Sequence, residues 1–348
     1  MTRELKLSPQ DRVLVLAPHP DDETLAAGDL IQAALAAGSA LRVVFATDGD
    51  NNPWPQRWLE RRWRIGPRAR ARWGARRRGE ALAALAALGV RDVEREARFL
   101  GWPDQGLTAL LMRDDAAVAV LANEFARFAP THLVMPILAD RHPDHSALRV
   151  LADLAALRAG SPAQRLGYIV HGEKPQDAGR LLTVASRDAS AKQRAMEHHA
   201  SQLALSRKRL LGLAALPNRF EPVDRIPLPP GPPRLLRLTS RSPLRRCDLL
   251  LVIALPEEPV RLRVALPRGA GVREAVDGRG RRYSIECGAR ALAVSLPEFE
   301  TPPVAIYAKL HRRDPRLLIF DREHWRHDAE LLRAPAAALT GSAESGYI

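Results

Sequence analysis

Short apolar runs alternate with alanine-rich segments through the first half of the chain, and this alternation restricts the fold more than any other feature. Runs such as RVLVLAPH (12–19) and THLVMPILAD (131–140) are continuous and rich in Val and Leu, as in strands buried on both faces. The segment DETLAAGDLIQAALAAG (22–38) has helical periodicity and ends at a glycine. Repeated units of this kind predict a parallel sheet covered by helices.

The same pattern continues to about residue 206. The predicted strands are 12–19, 41–50, 95–104, 131–140 and 165–173. The predicted helices are 22–38, 79–89, 114–128, 142–160 and 186–206. We therefore expect an α/β fold, a Rossmann-like three-layer αβα sandwich with a mostly parallel sheet.

The residue pattern of the sequence changes after residue 216. Residues 217–234 hold seven prolines and are predicted to be a linker. The runs beyond it are short, strand-like and separated by Gly and Pro: LLRLTS (235–240), DLLLVIAL (248–255), VRLRVALP (260–267), RYSIEC (282–287), ALAVSLP (291–297) and VAIYAKL (304–310). We expect a first domain over 1–216 and a small β-rich C-terminal region over 235–348.

Positive charge is concentrated in one stretch of this basic chain. The formal net charge is +13, and residues 54–79 contain ten Arg, one Glu and four of the six Trp. Basic surfaces often meet anionic lipid, phosphorylated substrates or nucleic acid. The clustering indicates a local feature, although an Arg-rich proteome would also raise the overall count.

Three interpretations of residues 54–79 remain open. Arg pairs with phosphate and Trp favours the lipid interface, which suits an anionic membrane or glycolipid. A solvated loop or a contact in a homo-oligomer explains the stretch equally well. Nucleic-acid binding is the weakest interpretation, because no motif accompanies it and Gly66-Pro67 interrupts any continuous basic helix.

Features that direct a chain to membranes or to oxidising compartments are not evident. The first residues, MTRELKLSPQDR, are polar, and the longest apolar run, LLLVIAL (249–255), is too short to cross a bilayer. Cys247 and Cys287 form no metal or redox motif. We expect a cytoplasmic protein, attached peripherally to the inner face of the membrane if 54–79 binds lipid.

Polar residues follow each of four predicted strands. These clusters are His19–Asp22, Thr47–Asp50, Asp104 and Asp140–His145. Ligands of open parallel sheets bind beyond the carboxyl ends of the strands. The four clusters are therefore expected to converge on one edge of the sheet.

The sequences HPDD (19–22) and HPDH (142–145) have the composition of a metal site. Catalytic zinc takes three protein ligands from His and carboxylate side chains and leaves one position open. His19, one adjacent aspartate and one histidine of HPDH would suffice, and the other aspartate could then act as the base. Spacing alone leaves open which Asp and which His does what. Helix capping by the aspartates, or a surface turn for HPDH, are the alternatives.

The paired motifs resemble the PIG-L (LmbE-like) deacetylase family over roughly residues 10–205. APHPDDE (17–23) is followed about 120 residues later by HPDH, and TDGD (47–50) and RRGEAL (77–82) are weaker matching pieces. FLGWPDQGL and KQRAMEHHASQ match as well. The family removes acetyl groups from N-acetylglucosamine-type sugars on carriers such as phosphatidylinositol, inositol, malate and glycopeptides.

The resemblance implies a role for each matching residue. His19, Asp22 and His145 would bind zinc, with iron as an alternative metal. Asp21 would be the general base that activates water at the metal. His142 would stabilise the oxyanion or protonate the leaving amine, with Asp144 orienting it.

The substrate-binding residues that the resemblance implies are Arg77, Asp50 and Asp104. Arg77 would hold sugar hydroxyls, and Asp104 would line the sugar pocket. Asp50 stands where many family members have glutamate, and residues 54–76 and those beyond about 215 match nothing general in the family. Glu23 is expected to stabilise the start of the helix rather than take part in chemistry.

These expectations combine into three hypotheses. The first is a zinc-dependent N-deacetylase for an amino sugar on a larger glycoconjugate that is anionic or lipid-linked. The second is an amidase for a soluble metabolite, such as a thiol conjugate or an antibiotic glycoside. The third, from another class, is a protein that binds anionic polymers on an old hydrolase scaffold.

Overall fold

Two compact units make up the part of the chain that the computed structural model describes, namely residues 3–172, 180–185, 188–223, 235–240, 243–313 and 323–327. The first unit lies within Met1–Leu111, Ala116–Asp140 and Asp144–Asp224. The second lies within Met112–Asp115, Arg141–Pro143 and Arg225–Ile348.

The first unit is built on a large sheet. Its strands are β1 (Arg3–Glu4), β2 (Arg12–Ala17), β3 (Ala40–Thr47), β4 (Ala97–Trp102), β5 (His132–Pro136), β6 (Gln164–Tyr168), β7 (Leu182–Thr183) and β8 (Arg219–Pro222). The order is β1-β7-β8-β6-β5-β2-β3-β4. Strands β6, β5, β2, β3 and β4 are all parallel, and β8 runs antiparallel to both β6 and β7.

Helices connect these strands as the alternation predicts. They are α1 (Asp22–Ala37), α2 (Pro53–Glu60), α3 (Pro67–Ala87), α4 (Val93–Glu96), α5 (Leu107–Arg113), α6 (Ala116–Phe128), α7 (Pro143–Arg158), α8 (Ala191–Glu197) and α9 (Ala200–Ala214). The mixed α/β fold with a mostly parallel sheet is thereby confirmed. The three-layer arrangement of the helices stays a prediction.

The central strand β2 explains why the site residues lie where they do. Its residues Val13 to Ala17 are at most 1% exposed, because β3 and β5 flank the strand. The core around it includes Leu30 of α1, Phe45 of β3 and Leu85 of α3. A strand buried in this way has no room for polar side chains along its length. The first side chain that could bind a ligand, His19, therefore follows the end of the strand.

The region predicted as a Pro-rich linker begins with regular structure. Residues Arg219–Pro222 form β8, which pairs with β6 and β7. The rest of the predicted linker, 224–234, lies outside the described residues. The predicted limits of 1–216, 217–234 and 235–348 stay a prediction.

The C-terminal region is β-rich, as its short apolar runs predict. One antiparallel sheet contains β10 (Cys247–Ala254), β11 (Val260–Ala265), β15 (Ala305–Arg312) and β16 (Arg326–His327), and the other contains β9 (Leu235–Thr239), β12 (Gly271–Val276), β13 (Arg282–Cys287) and β14 (Ala291–Ser295). A short 3₁₀ turn, Leu244–Arg246, precedes β10. Both sheets contribute side chains to one apolar core, as in a β-sandwich. The free cysteines Cys247 and Cys287 are buried in that core.

Residues 54–79, which are rich in Arg and Trp, lie mostly in two helices rather than in a loop. α2 and α3 are separated by residues 61–66, where Gly66 caps α3 and Pro67 occupies its first turn. The helix predicted at 79–89 therefore begins twelve residues earlier, at Pro67. Within the described residues, no helix combines the length and apolar character needed to span a membrane.

Candidate metal centre and active site

The turn from β2 into α1 holds Asp21 in an unusual backbone conformation. Asp21 has φ 128° and ψ −26°, which a residue with a side chain adopts only under strain. Its carboxylate makes no capping hydrogen bond to α1. Helix capping therefore does not explain this side chain, and strain of this kind is often found at functional sites.

Two histidines converge on one carboxylate oxygen. Oδ2 of Asp22 lies 3.2 Å from Nδ1 of His19 and 3.2 Å from Nε2 of His145, and the two rings are 5.4 Å apart. All three side chains are buried. The structure thus brings together the three predicted metal ligands, one from the β2–α1 turn and one from the first turns of each of α1 and α7.

These distances fit the predicted metal. Zinc bonds of about 2.0–2.1 Å in a tetrahedron place neighbouring ligand atoms about 3.3 Å apart. The two Asp22 distances match that spacing. Burial lowers the pKa of His145, but the charges of Asp140 and Asp22 raise it to about 10, so the cluster favours a cation between these groups.

A second carboxylate, that of Asp140, contacts the other ring nitrogen of His145 and orients the ring. Oδ2 of Asp140 lies 3.1 Å from Nδ1 of His145 and accepts the backbone N–H groups of Val170 and His171. Such a partner fixes the ring so that Nε2 faces the metal position. Asp22, His145 and His171 form a group with ligand atoms within 4.8 Å of one another, so His171 is a further candidate ligand.

His19 is oriented in the same way by two aspartates. Its Nε2 lies 3.2 Å from Oδ1 of Asp104 and 3.3 Å from Oδ2 of Asp144. Burial lowers the pKa of His19, but these contacts and Asp22 raise it well above its usual range. With Nδ1 facing Asp22, an N–H at Nε2 would donate to this carboxylate pair.

The contacts of Asp144 and Asp104 extend beyond their predicted roles. Asp144 accepts the backbone N–H groups of Gln105 and Leu107, at 2.6 and 3.0 Å. Asp104 accepts the backbone N–H of Asn51 at 2.6 Å. Each aspartate therefore ties a loop to His19. The orientation of His142 by Asp144 stays a prediction, and His142 itself is buried in the segment just before α7.

Glu23 and His199 hold the backbone of Asp21. Oε2 of Glu23 accepts the Asp21 N–H at 2.9 Å, and Oε1 lies 2.9 Å from Nε2 of His199 and accepts the Thr24 hydroxyl at 2.6 Å. Glu23 and His199 are fully buried. The expectation that Glu23 only stabilises the helix start is thus too narrow, because it also fixes the strained residue.

The environment of Asp21 suits a base near neutral pH. Burial, together with the neighbouring charge of Asp22, raises the pKa of its carboxyl to about 6, even though Arg77 lowers it. A nitrogen of Arg77 lies 3.5 Å from Oδ2 of Asp21. A general base works best when its pKa is near the working pH.

Arg77 braces the loops on either side of Asp21. It is 3% exposed, and its guanidinium donates to the carbonyls of Gly49 and Pro20 as well as facing Asp21. The predicted contact of Arg77 with sugar hydroxyls stays a prediction.

Asp50 lies at the edge of the site and remains partly exposed. Its carboxylate pairs with Arg70 of α3 at 3.3 Å, with about a quarter of the side chain accessible. α3 packs closely on this loop, since a Cβ on Gly74 would lie 3.0 Å from Cβ of Asp48 and 3.3 Å from Cβ of Asp50. Contact of Asp50 with a substrate stays a prediction.

Gly49 offers a direct test of the loop that Arg77 braces. Gly49 has φ +61°, and a Cβ there would lie 1.9 Å from Nη1 of Arg77. We expect Gly49→Ala to lower the free energy of unfolding by about 1–3 kcal/mol. Urea unfolding measures this change.

The matched control is Gly79→Ala in the exposed part of α3, where a Cβ meets nothing within 4 Å. Alanine at that position should stabilise the helix by about 0.5–1 kcal/mol. Equal stability of Gly49→Ala and the wild type would contradict the bracing role of Arg77.

Two residues of the site, His171 and His199, were not predicted from the sequence. His171 follows β6, and His199 lies between α8 and α9 within the motif KQRAMEHHASQ. The motif signalled only a resemblance, and nothing in it assigned a role to His199. The contact between Glu23 and His199 spans 176 residues, which no local pattern reveals.

These features define a buried His/Asp cluster of metal-centre character at the carboxyl edge of a mostly parallel sheet. Residues 14–156 match the family model described as PIG-L: GlcNAc-PI de-N-acetylase. Over these residues the match confirms the resemblance to the PIG-L family that the motifs carry. The matched segment contains every predicted metal, catalytic and substrate-binding residue.

Curated relatives and solved structures show further similarities. A 1D-myo-inositol 2-acetamido-2-deoxy-alpha-D-glucopyranoside deacetylase of Actinosynnema mirum is 32% identical over 191 residues, which cover 50% of this chain and 65% of that protein. The protein of the same name from Mycolicibacterium gilvum is 34% identical over 38% of this chain and 50% of its own length. A conserved protein of Thermus thermophilus has a TM-score of 0.47 at 22% identity, covering 64% of this chain and 98% of that one. The chain thus spans less than two thirds of the curated relatives that it matches.

Proposed function

We propose that this protein is a metal-dependent hydrolase that removes the N-acetyl group from an N-acetylglucosamine-type sugar. The observation that carries the proposal is the convergence of His19 and His145 on one oxygen of Asp22, with a second carboxylate, Asp21, directly beside it. The names of the two curated relatives support an acetamido sugar as the substrate class.

The donor set determines which residues would hold the ion. His19, Asp22 and His145 would bind zinc, with iron(II) as the alternative, since imidazole nitrogen and carboxylate oxygen suit both metals. The bound ion supplies Lewis acidity and lowers the pKa of water at the site. Asp140 and the Asp104/Asp144 pair orient the two imidazoles for that role.

Asp21 then acts as the general base. Water adds to the acetyl carbonyl carbon while an oxygen of Asp21 takes the proton from that water. The backbone N–H of Asp21 donates to the Glu23 carboxylate, and the guanidinium of Arg77 faces the Asp21 carboxylate, which keeps that side chain in place. The amide C–N bond then breaks, a proton reaches the amine nitrogen from His142, and acetate leaves.

The sugar would lie against the loops after β3 and β4. Asp50 is partly exposed there, and Asp104 sits between His19 and the backbone of Asn51. We propose these two aspartates as the polar edge of the sugar pocket. Arg77, the third predicted substrate-binding residue, lies behind them with its guanidinium on internal carbonyls, and its contact with a sugar hydroxyl remains part of the proposal.

Two carriers compete for the rest of the substrate. The arginines of 54–79, a stretch that begins three residues after Asn51, favour a larger glycoconjugate that is anionic or lipid-linked. The names of the curated relatives favour a small inositol-linked sugar, which is the soluble-metabolite alternative. A protein that only binds anionic polymers would have no need of this buried cluster. A cytoplasmic location remains part of the proposal.

Release of acetate tests the proposal. The full chain is incubated with N-acetylglucosaminyl-inositol, N,N'-diacetylchitobiose and N-acetylglucosaminyl-phosphatidylinositol in detergent, and free acetate and amine are measured. Acetate from at least one substrate, in equal amounts with amine, is the expected result. No acetate from any acetamido sugar by a metal-loaded protein would contradict the proposed function.

Removal of the metal should abolish that activity. Treatment with dipicolinate is expected to lower acetate release by more than about 90%, and one equivalent of zinc should restore it, because the ion provides the Lewis acid of the site. Magnesium serves as the control, since it prefers an all-oxygen ligand set. Unchanged activity in a protein that elemental analysis shows to be metal-free would contradict a metal mechanism.

A further inference from the structure

An exposed apolar and basic surface lies on α2 and the turn that follows it, with one residue from α9. We call it the Trp/Arg face, and it consists of Trp54, Trp58, Trp63 and Leu205 with Arg57, Arg61 and Arg62, which line one surface hollow. The tryptophans are 46%, 65% and 82% exposed. Nearly half of the exposed large apolar side chains in the described residues belong to this one face. Soluble proteins seldom expose such side chains together unless the surface binds something.

Helix α2 has a buried inner side and an exposed outer side, and the face lies on the outer side. Pro55 and Gln56 are buried, and the Gln56 side chain donates to the carbonyl of Ala69 at 2.7 Å. Trp54 and Trp58 are four residues apart and lie on the outer side. The helix is thus anchored by its inner side while its aromatic side remains in solvent.

The arginines of the face differ from most of those in α3. Arg70, Arg76 and Arg78 pair with Asp50, Glu80 and Asp48. In the described part of the chain, Arg57, Arg61 and Arg62 form no ion pair through their side chains. Glu60, the only acid of the stretch, is engaged by Arg72 and Gln56. The charge of the face is therefore uncompensated.

Arg57 also contacts the aromatic rings of the face. Its guanidinium lies 5.0 Å from the centre of the Trp54 ring and 5.8 Å from that of Trp63. Such cation–π contacts place a cation and two indoles within one patch. By contrast, Trp73 in α3 is fully buried and belongs to the core. The exposed tryptophans of the stretch 54–79 therefore all lie within residues 54–63.

We propose that the Trp/Arg face docks on the surface of an anionic lipid bilayer. Indole rings favour the region of the lipid headgroups, Leu adds apolar area, and unpaired guanidinium groups bind headgroup phosphates. A cluster of basic residues near an anionic leaflet adds attraction for each charge. This partner satisfies both the apolar and the charged residues of one face.

The face is close to the candidate active site along the chain. Asn51 donates its backbone N–H to Asp104, which contacts His19, and Trp54 follows three residues later. Docking would therefore bring the loop before α2 to the headgroup layer. Delivery of a lipid-linked substrate to the site is the one consequence that rests on the proposed function.

Vesicle binding by the full chain tests the proposal. The probes are vesicles of pure phosphatidylcholine and vesicles that contain about 30% phosphatidylglycerol, in sedimentation experiments at about 50 mM and about 500 mM salt. We expect binding to the anionic vesicles at low salt, at least about tenfold weaker binding to neutral ones, and a marked loss at high salt. Absence of binding to anionic vesicles at low salt would overturn the proposal.

Matched variants show whether this face is responsible. Trp58→Ser/Trp63→Ser and Arg61→Glu/Arg62→Glu should each weaken anionic-vesicle binding at least about tenfold. The controls remove exposed apolar or basic groups elsewhere: Val272→Ser/Val276→Ser and Arg91→Glu/Arg127→Glu. They should bind as the wild type does. Equal losses in the controls would mean binding by overall basic charge and would reject the face.

Three further outcomes would overturn the proposal. The first is tight binding of single-stranded RNA by a protein that does not bind vesicles. The second is a face variant that loses self-association but still binds vesicles. The third is a face variant that circular dichroism shows to be unfolded but that binds vesicles normally. Acetate release from a soluble sugar by Trp58→Ser/Trp63→Ser should stay at the wild-type rate, so failure of docking and failure of the proposed deacetylase are separable.

Discussion

Replacement of Asp21 by Asn is expected to lower the rate of acetate release on the order of 10²–10⁴-fold, the usual contribution of a general base. The amide keeps the size of the side chain but cannot take the proton from water. The strained backbone at φ 128° is held through the N–H that Glu23 accepts, which the substitution leaves in place. Steady-state kinetics should therefore show a lower kcat with little change in KM.

The control for Asp21→Asn is Asp92→Asn, which changes an exposed aspartate at the start of α4. That variant should release acetate at the wild-type rate. A rate for Asp21→Asn within about threefold of the wild type would contradict its role as the base, whatever the result for the control.

Replacement of His199 by Ala should strongly destabilise the first unit. Glu23 is fully buried, and His199 is its partner at 2.9 Å. Burial lowers the pKa of His199, but Glu23 raises it above its usual value, so the pair can share a charge. Removal of one partner from a buried pair typically costs about 3–5 kcal/mol, because a charge is left without compensation. Urea unfolding measures the loss.

A double-mutant cycle separates this charge effect from simple loss of packing. Adding Glu23→Gln to His199→Ala removes the buried charge, and part of the stability should return. The exposed neighbour His198 provides the single-site control, and His198→Ala should unfold like the wild type. Additive losses from the two substitutions would show that Glu23 and His199 do not act as a pair.

The framework of the site is predictable from local patterns. Strand and helix periodicity indicates that β2, β3, β4 and β5 are parallel strands of one sheet, and their carboxyl ends must then share an edge. HPDD and HPDH follow two of these strands. Their meeting at Asp22 is therefore a consequence of topology, and the assignment of ligand and base, which spacing leaves open, remains for experiment.

The groups that support the site were not predictable in the same way. The sequence does not show that Gly49 and Pro20 present their carbonyls to Arg77. Glu23 and His199 meet only after the whole sheet has formed. These interactions depend on tertiary packing rather than on periodicity.

A similar limit applies to the C-terminal sheets. Strand β12 was missed because Gly271–Val276 is almost entirely exposed and has no buried face to create alternation. β10, which is wholly buried, was evident from its continuous apolar run. A strand is predictable where burial requires apolar residues. β12 has no such requirement, because it is held chiefly by its backbone pairing with β13.

The metal content of two adjacent variants tests the central claim most directly. Asp21→Asn and Asp22→Asn are isosteric changes at neighbouring positions, purified together without chelator and analysed for bound metal by mass spectrometry. We expect Asp21→Asn to retain the wild-type amount of metal and Asp22→Asn to lose most of it, because only Asp22 contacts both His19 and His145. Loss of metal from Asp21→Asn, or full retention by Asp22→Asn, would contradict the assignment of base and ligand.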